Sequence, residues 1–388
     1  MNTTLPSFEF VVVGGGIAGV AVASELAAHG RVLLIEREAS LAYHTTGRSA
    51  AISMESYGNE LIRQLTGASR AFFHEPDPAF TSEPLWAPRG ALIVGDELNL
   101  AKLRQRHAAV RRQVPQAEWL EGAELRRHLP FLGPQWVAGI LEPSAFDLDV
   151  HAIHSAFRRR LRQLGGQVRA GTELLAAHQD GGGWSLQLSD GSHVAAGSIV
   201  NAAGAWADEL ARRCGVRPLG LRPLLRTVVV VDPECEVSGC PYLGTVDEQL
   251  FIKPEVGRLL VSPCDETPSE PCDALPDELG VAIAMERLLR ATQLRPRRVL
   301  NRWAGLRVFV PDRSPVIGVD PEKDGFVWCA ALGGYGIQTA PAVARLCAAL
   351  TRGAALHAEL QGLDPKQTSP VRLHARSREC LLAVADLH

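Results

Sequence analysis

Gly14, Gly16 and Gly19 stand in the spacing G-x-G-x-x-G between two segments of opposite character. Before them runs FEFVVV, from Phe8 to Val13, a β-branched stretch suited to a parallel strand buried on both faces. After them IAGVAVASELAAHG reads as a helix stopped by Gly30, and RVLLIERE supplies a second apolar strand. Strand, glycine turn, helix and strand within about 30 residues make a βαβ unit, so the chain starts as an α/β sheet. The first glycine allows the tight turn, the second lets a pyrophosphate approach the backbone, and the third lets helix and strand pack closely. The helix start then presents unpaired N–H groups and partial positive charge to phosphates. Glu36 ends the second strand twenty residues after Gly16, where a carboxylate can hold both adenosine ribose hydroxyls and repel a 2′-phosphate. The expectation is a dinucleotide site that disfavours NADP.

A length of 388 residues leaves room for two or three domains. A formal charge of −3 gives no reason to expect a nucleic-acid partner, and Arg158-Arg159-Arg160 reads as a solvated helix face. His151 and His154 fall on the same basic helix and read as exposed packing positions. The eight cysteines form no C-x-x-C pair, which argues against zinc or a dithiol motif and for free thiols in a reducing compartment. No metal site is expected. The glycines interrupt the N-terminal apolar run, so neither a signal peptide nor a membrane span is read there, and a cytoplasmic protein is expected.

Texture changes along the chain divide it. Residues 1–58, 147–221 and 301–372 carry the strand, glycine-turn and helix patterns of the first layer; residues 59–146 and 222–300 read as an inserted α+β lobe; 373–388 form a tail. Two segments point to FAD over NAD. YHTTGRSAA, just past the ribose acid, offers small and hydroxyl side chains for threading an extended dinucleotide. ALGGYGIQTAPAVARL sets a glycine turn before a helix whose positive end can stabilise charge on a reduced flavin ring.

At these residues the sequence resembles the glycine oxidase, sarcosine oxidase and D-amino-acid oxidase group of flavoenzymes, and looks closest to the bacterial FAD-dependent D-arginine dehydrogenases. The strings that carry the likeness are VVVGGGIAGVAVASELAAHGRVLLIERE, YHTTGRSAA, ESYG, VNAAGAWADEL, RPLGLRPLLR, FIKPEVG, WAGLRVFV and GGYGIQT, spread from about Phe10 to about Leu373. The resemblance implies a D-amino-acid-oxidase-like architecture: a Rossmann-like FAD-binding domain with an inserted α+β substrate-binding domain.

For the cofactor, the likeness implies that Gly14, Gly16, Ile17, Ala18 and Gly19 meet the pyrophosphate, with Glu36 and Arg37 at the adenosine. Gly47, Arg48, Ser49, Ala50 and Ala51 would line the path to the isoalloxazine ring. Val168 would touch the adenine through its backbone, Ala203 and Gly204 the diphosphate region, and Gly333, Gly336, Ile337 and Gln338 the pyrimidine edge. WAGLR lacks the cysteine of covalently flavinylated members, which implies noncovalent FAD.

For the substrate, an amino acid whose carboxylate is held by a bidentate guanidinium, the likeness implies Arg307 as anchor, Arg226 as a second arginine, the Gly334 carbonyl as acceptor for the amine and Tyr57 as a lid. The expected reaction is hydride transfer from Cα of a neutral amine to flavin N5, giving an imino acid that water hydrolyses to a 2-oxo acid and ammonia. That route needs no strong base; His44, which could hydrogen-bond near the flavin, reads instead as a packed or solvated side chain. Departures from the arginine-specific pattern redirect the side-chain preference: Ala91 replaces the acid that would pair a guanidinium, while Ile52, Met54 and Phe251 replace a histidine, a threonine and a tyrosine. Losing an acid partner for a buried guanidinium is costly, so apolar or aromatic D-amino acids are expected ahead of D-arginine, unless Glu55 turns inward. RLLVSP offers no lysine to activate oxygen, which favours a dehydrogenase passing electrons to a quinone over an oxidase using O2. Oxidation of N-substituted or cyclic amino acids, 2-hydroxy-acid dehydrogenation, and a non-catalytic flavin-binding subunit stand as alternatives.

Overall fold

The computed structural model describes residues 5–373, so the expected tail from 374 onward, with Cys380, lies outside the described residues. Strand β1 (Ser7–Val13) runs into helix α1 (Ile17–Leu26) and strand β2 (Val32–Ile35). β1 is the centre of the first sheet: β2 and His193–Asn201 flank it in parallel, Gln167–Arg169 adds to β2, and Phe326–Ala330 joins the end of His193–Asn201. An antiparallel ribbon, Leu174–Asp180 with Gly183–Leu188, pairs with the start of His193–Asn201. Because successive β1 side chains point to opposite faces, Phe10 and Val12 enter one core and Val11 and Val13 the other. The first core is closed by α1 and the helices Val150–Gln163 and Gly336–Arg352.

The second sheet has nine strands. Its long member, Arg222–Val231, pairs along its length with Val299–Phe309, and five further strands continue the sheet through Arg258–Ser262, Phe251–Glu255, Tyr242–Thr245, Ala91–Gly95 and Ala138–Glu142. One face packs on the helix Glu278–Ala291, an element the sequence reading did not pick out.

Two of the expected domain boundaries shift. Residues 301–309, assigned from sequence to the first layer, are a strand of the second sheet, because their backbone groups pair with Arg222–Val230. Helix Glu60–His74, assigned to the inserted lobe, buries Leu61, Leu65 and Phe73 in the first core against Gly336–Arg352. Two polar contacts fix that docking: Gln338 Nε2 donates to Thr66 Oγ1 at 2.7 Å, and the Ala342 N–H to Ser69 Oγ at 3.2 Å. An amphipathic helix goes where its apolar stripe finds a partner, whatever its place in the chain. No described helix is long and apolar enough to cross a membrane.

Candidate active site

The turn from β1 to α1 is shaped by its glycines. Gly14 has φ of +114°, and a Cβ there would stand 2.3 Å from the Ala202 carbonyl oxygen. A Cβ on Gly19 would lie 1.8 Å from the Gly14 carbonyl oxygen, so the third glycine sets how closely helix and strand approach. The strand end therefore delivers the chain straight onto the start of α1, whose first-turn N–H groups lack intrahelical partners. Thr46 Oγ1 accepts one of them, from Ile17, at 3.0 Å. Beneath the turn, His154 Nε2 donates to the Gly15 carbonyl at 3.0 Å. His154 is thus a buried support for this loop, not the exposed position expected, and burial pushes its pKa down.

A long cleft starts at Glu36 and Arg37, passes the α1 start and the segment Ala202–Trp206, and ends between Gly305–Val308 and Ala330–Gly334. Of the residues singled out from sequence, it brings together Gly14, Gly16, Ile17, Ala18, Glu36, Arg37, Arg48, Ser49, Ala50, Ala51, Ile52, Tyr57, Ala203, Gly204, Arg226, Phe251, Arg307, Gly333, Gly334, Gly336, Ile337 and Gln338. The Glu36 carboxylate accepts from the Gly15 and Glu38 N–H groups at 2.6 and 2.9 Å. Arg37 stacks over the Trp206 ring at 3.9 Å, and His44, the only described histidine lining the cleft, bonds Glu38 at 2.9 Å at this same end.

Five residues do not line the cleft. Gly19 and Gly47 act by packing, the latter with the Ala42 carbonyl 2.4 Å from where its Cβ would be. Val168 packs its side chain against the first core. Its strand ends at Arg169, the chain turns at Gly171, and Thr172, whose N–H donates to the Glu36 carbonyl at 2.9 Å, leads Glu173 and Leu174 into the cleft lining. Met54 is buried and lines a second, adjoining cavity. Ala91 is fully buried in one core cluster with Met54 and Ile93 and lines neither cavity, so it is not the pocket-wall residue expected. Glu55 faces away, paired with Arg70 at 2.8 Å.

At the far end Arg307, on the strand Val299–Phe309, lies across Gly334 and donates from Nη2 to the Tyr57 hydroxyl at 2.9 Å. No described carboxylate pairs with it. Tyr57 and Tyr335 meet edge to face at 4.9 Å, and burial raises the Tyr335 phenol to about 12, so the Tyr335 hydroxyl stays protonated. Arg226 is differently placed. Its Nε donates to the Asp265 carbonyl at 3.0 Å, and Nη2 reaches Glu266, which also takes Arg313 through two contacts of 2.7 and 3.0 Å. Of the expected pair of anchors, Arg307 is therefore the one with no contact ion pair among the described residues, the Glu266 charge acting on it only from a distance, while Arg226 is held in an ion-pair network. The side wall is apolar: Ile52, Val228, and Tyr242 stacked on Phe251 at 5.6 Å. Lys253, on the strand beside RLLVSP, is buried but held by Asp147 and Glu255 and lines neither cavity.

The sequence reading named none of Tyr43, Thr45, Thr46, Thr172, Trp206 and Tyr242 individually, though all line the cleft and the first three lie in YHTTGRSAA, whose hydroxyl side chains it had marked. Trp206 lay inside the quoted string VNAAGAWADEL and was readable; Tyr242 follows a proline loop with no motif to mark it. Among the described residues no group of three His, Cys, Asp or Glu is placed to hold a metal.

Comparison with known proteins places this geometry. The family model DAO, FAD dependent oxidoreductase, matches residues 9–350. An L-2-hydroxyglutarate dehydrogenase of Salmonella houtenae is 26% identical over 222 residues, 54% of this chain and 51% of that protein, so the matched chain spans about half of it. A glycine oxidase of Bacillus licheniformis is 26% identical over 366 residues, covering 89% of this chain and 93% of the other. Among solved structures, glycine oxidase from Geobacillus kaustophilus superposes with a TM-score of 0.82 at 22% identity, covering 94% and 98% of the two chains. L-Proline dehydrogenase from P. horikoshii gives 0.83 at 20%, covering 96% and 99%. These likenesses support the oxidoreductase group and its fold, not the D-arginine-specific branch. The residues present fit FAD: backbone crowding excludes side chains at Gly14 and Gly19, an acid stands at the ribose end, and the N-terminus of helix Gly336–Arg352 opens onto the far end of the cleft.

Proposed function

Since the chain belongs to the DAO family of FAD-dependent oxidoreductases, we propose that it oxidises an amino acid with an apolar or aromatic side chain, in the D configuration, to an imino acid that water converts to a 2-oxo acid and ammonia. The observation that carries this reading is Arg307: a guanidinium inside the cleft, permanently charged, with a phenol as its hydrogen-bond partner and, among the described residues, no acid in contact with it. A buried charge left unpaired by the protein is a site for a ligand of opposite sign.

FAD would lie with its pyrophosphate at Gly14, Gly16 and Ala18, its adenosine at Glu36 and its ring near Gly333–Gln338, and when bound it supplies the hydride acceptor. The chain's own groups do the rest. Arg307 binds the carboxylate in two-pronged fashion. The Tyr57 hydroxyl accepts from Arg307 and so keeps its own proton to donate to that carboxylate. The Gly334 carbonyl accepts a hydrogen bond from the amine N–H, and Ile52, Val228, Tyr242 and Phe251 enclose the side chain and exclude water. Electrons leave to a quinone or O2.

The first relative named above acts on L-2-hydroxyglutarate by its name, which makes oxidation of a 2-hydroxy acid the second reading. A hydroxyl, unlike a neutral amine, needs a base for its proton. His44 stands at the adenosine end with Glu38, and so counts against that reading. Anaerobic mixing of flavin-loaded protein with D- and L-amino acids, N-methyl amino acids and 2-hydroxy acids decides between them by loss of the visible flavin absorbance. D-Methionine, D-phenylalanine or D-leucine should bleach it ahead of D-arginine; bleaching by 2-hydroxy acids alone overturns the proposal.

A further inference from the structure

Glu142 ends the strand Ala138–Glu142 beside Ala91 and is 2% exposed. No described cation pairs with it. Its carboxylate instead accepts from the Glu55 N–H at 2.7 Å and from the Ser56 hydroxyl. A buried carboxylate without a cation costs more than an apolar residue of similar size, so what it holds is the question. It holds the loop that ends in the Tyr57 lid. Tyr57 follows Ser56 directly, its N–H returns to the Met54 carbonyl at 3.2 Å, and its hydroxyl meets Arg307 at 2.9 Å. The loop's other flank is equally constrained. Gly58 has φ of +85°, and a Cβ there would stand 2.7 Å from Ile62 and 3.2 Å from the Tyr335 ring.

We infer that Glu142 is a positioning residue for substrate binding: by clamping the Glu55 and Ser56 donors it fixes Tyr57 over the Arg307 anchor. Glu142 lines neither cavity and touches no ligand itself. The inference rests on the reading that Arg307 and Tyr57 receive a substrate carboxylate.

The test uses flavin-loaded protein and benzoate, an aromatic monocarboxylate, with affinity read from the perturbed visible flavin spectrum. Glu142→Ala should weaken benzoate roughly tenfold, the scale of one charge-assisted hydrogen bond lost. Glu142→Gln should restore most of that affinity, since its amide oxygen can accept from Glu55 and its amide nitrogen can donate to Ser56. In a Tyr57→Ala background, Glu142→Ala should add nothing, because the group it positions is gone. Ser56→Ala, which removes one of the two clamped donors and leaves the carboxylate in place, should give a smaller loss and serves if Glu142→Ala does not fold. Equal losses from Glu142→Ala, or from Ser56→Ala in its stead, with and without Tyr57 overturn the inference alone. No benzoate binding by the unaltered protein, or binding unmoved by Arg307→Ala and Tyr57→Ala, overturns the anchor reading and this inference with it.

Discussion

The guanidinium of Arg307 lies so close over Gly334 that a Cβ on that glycine would stand 1.4 Å from Nη2. The absence of a side chain at Gly334 is what lets the anchor reach its place.

Gly334→Ala should therefore push Arg307 off the cleft floor while the cofactor stays bound. Carboxylate affinity should fall roughly 10- to 150-fold, the equivalent of about 1.5–3 kcal/mol for a hydrogen bond to a charged group. Titration with benzoate against flavin absorbance measures it, and unchanged affinity would mean that the carboxylate is held elsewhere.

Gly19→Ala forces a methyl against the Gly14 carbonyl, 1.8 Å from the ideal Cβ position. Helix α1 must then back away from β1, at a strain of about 1–3 kcal/mol, and the phosphate cradle opens. The purified variant should carry much less flavin per chain; a full complement would show that the cradle tolerates the shift.

His154 gives a pH-dependent contribution. Its burial lowers the folded-state pKa below the ordinary 6.5, so the unfolded chain binds the extra proton more readily. Stability from this residue is complete above about 6.5 and is lost as pH falls from there through the lowered folded value. His154→Leu removes both the proton and the donor to Gly15. Thermal melts should show the variant below the parent at neutral pH and the gap narrowing on acidification, and a gap constant with pH would remove His154 from this role.

The loop carrying Asp273 and Ala274 reaches the segment 43–48, where Arg48 donates to the Ala274 carbonyl at 2.8 Å and pairs with Asp273, and Tyr43 donates to Asp273 at 3.1 Å. Asp273→Ala should speed flavin loss on dilution by a few-fold. Because the Asp273 side chain is half exposed, salt should screen the pair and bring the parent's rate toward the variant's. Rates that differ equally at low and high salt would point to packing instead.

Much of the cofactor cleft was legible in the sequence because its rules are local. Gly14, Gly16 and Gly19 act within one turn of chain, and Glu36 follows at a spacing set by one helix and one strand. Thr172, Glu173 and Leu174 were not legible, since their approach to Glu36 depends on a turn at Gly171 beside a strand from elsewhere in the chain. The substrate end was readable only as a set of residue types, with Ala91 and Met54 taken for pocket walls that the fold buries or turns toward the neighbouring cavity.

What the sequence determined by itself was the α/β start, the dinucleotide cradle and the presence of arginines on apolar strands, because periodicity and backbone sterics operate over a few residues. Which arginine stays free was decided only in three dimensions. Arg226 and Arg307 sit on adjacent paired strands, yet Asp265 and Glu266 come round from a separate loop to neutralise the first and leave the second facing the cleft. Charge pairing across long chain separations depends on which loops meet, and that is a property of the folded chain.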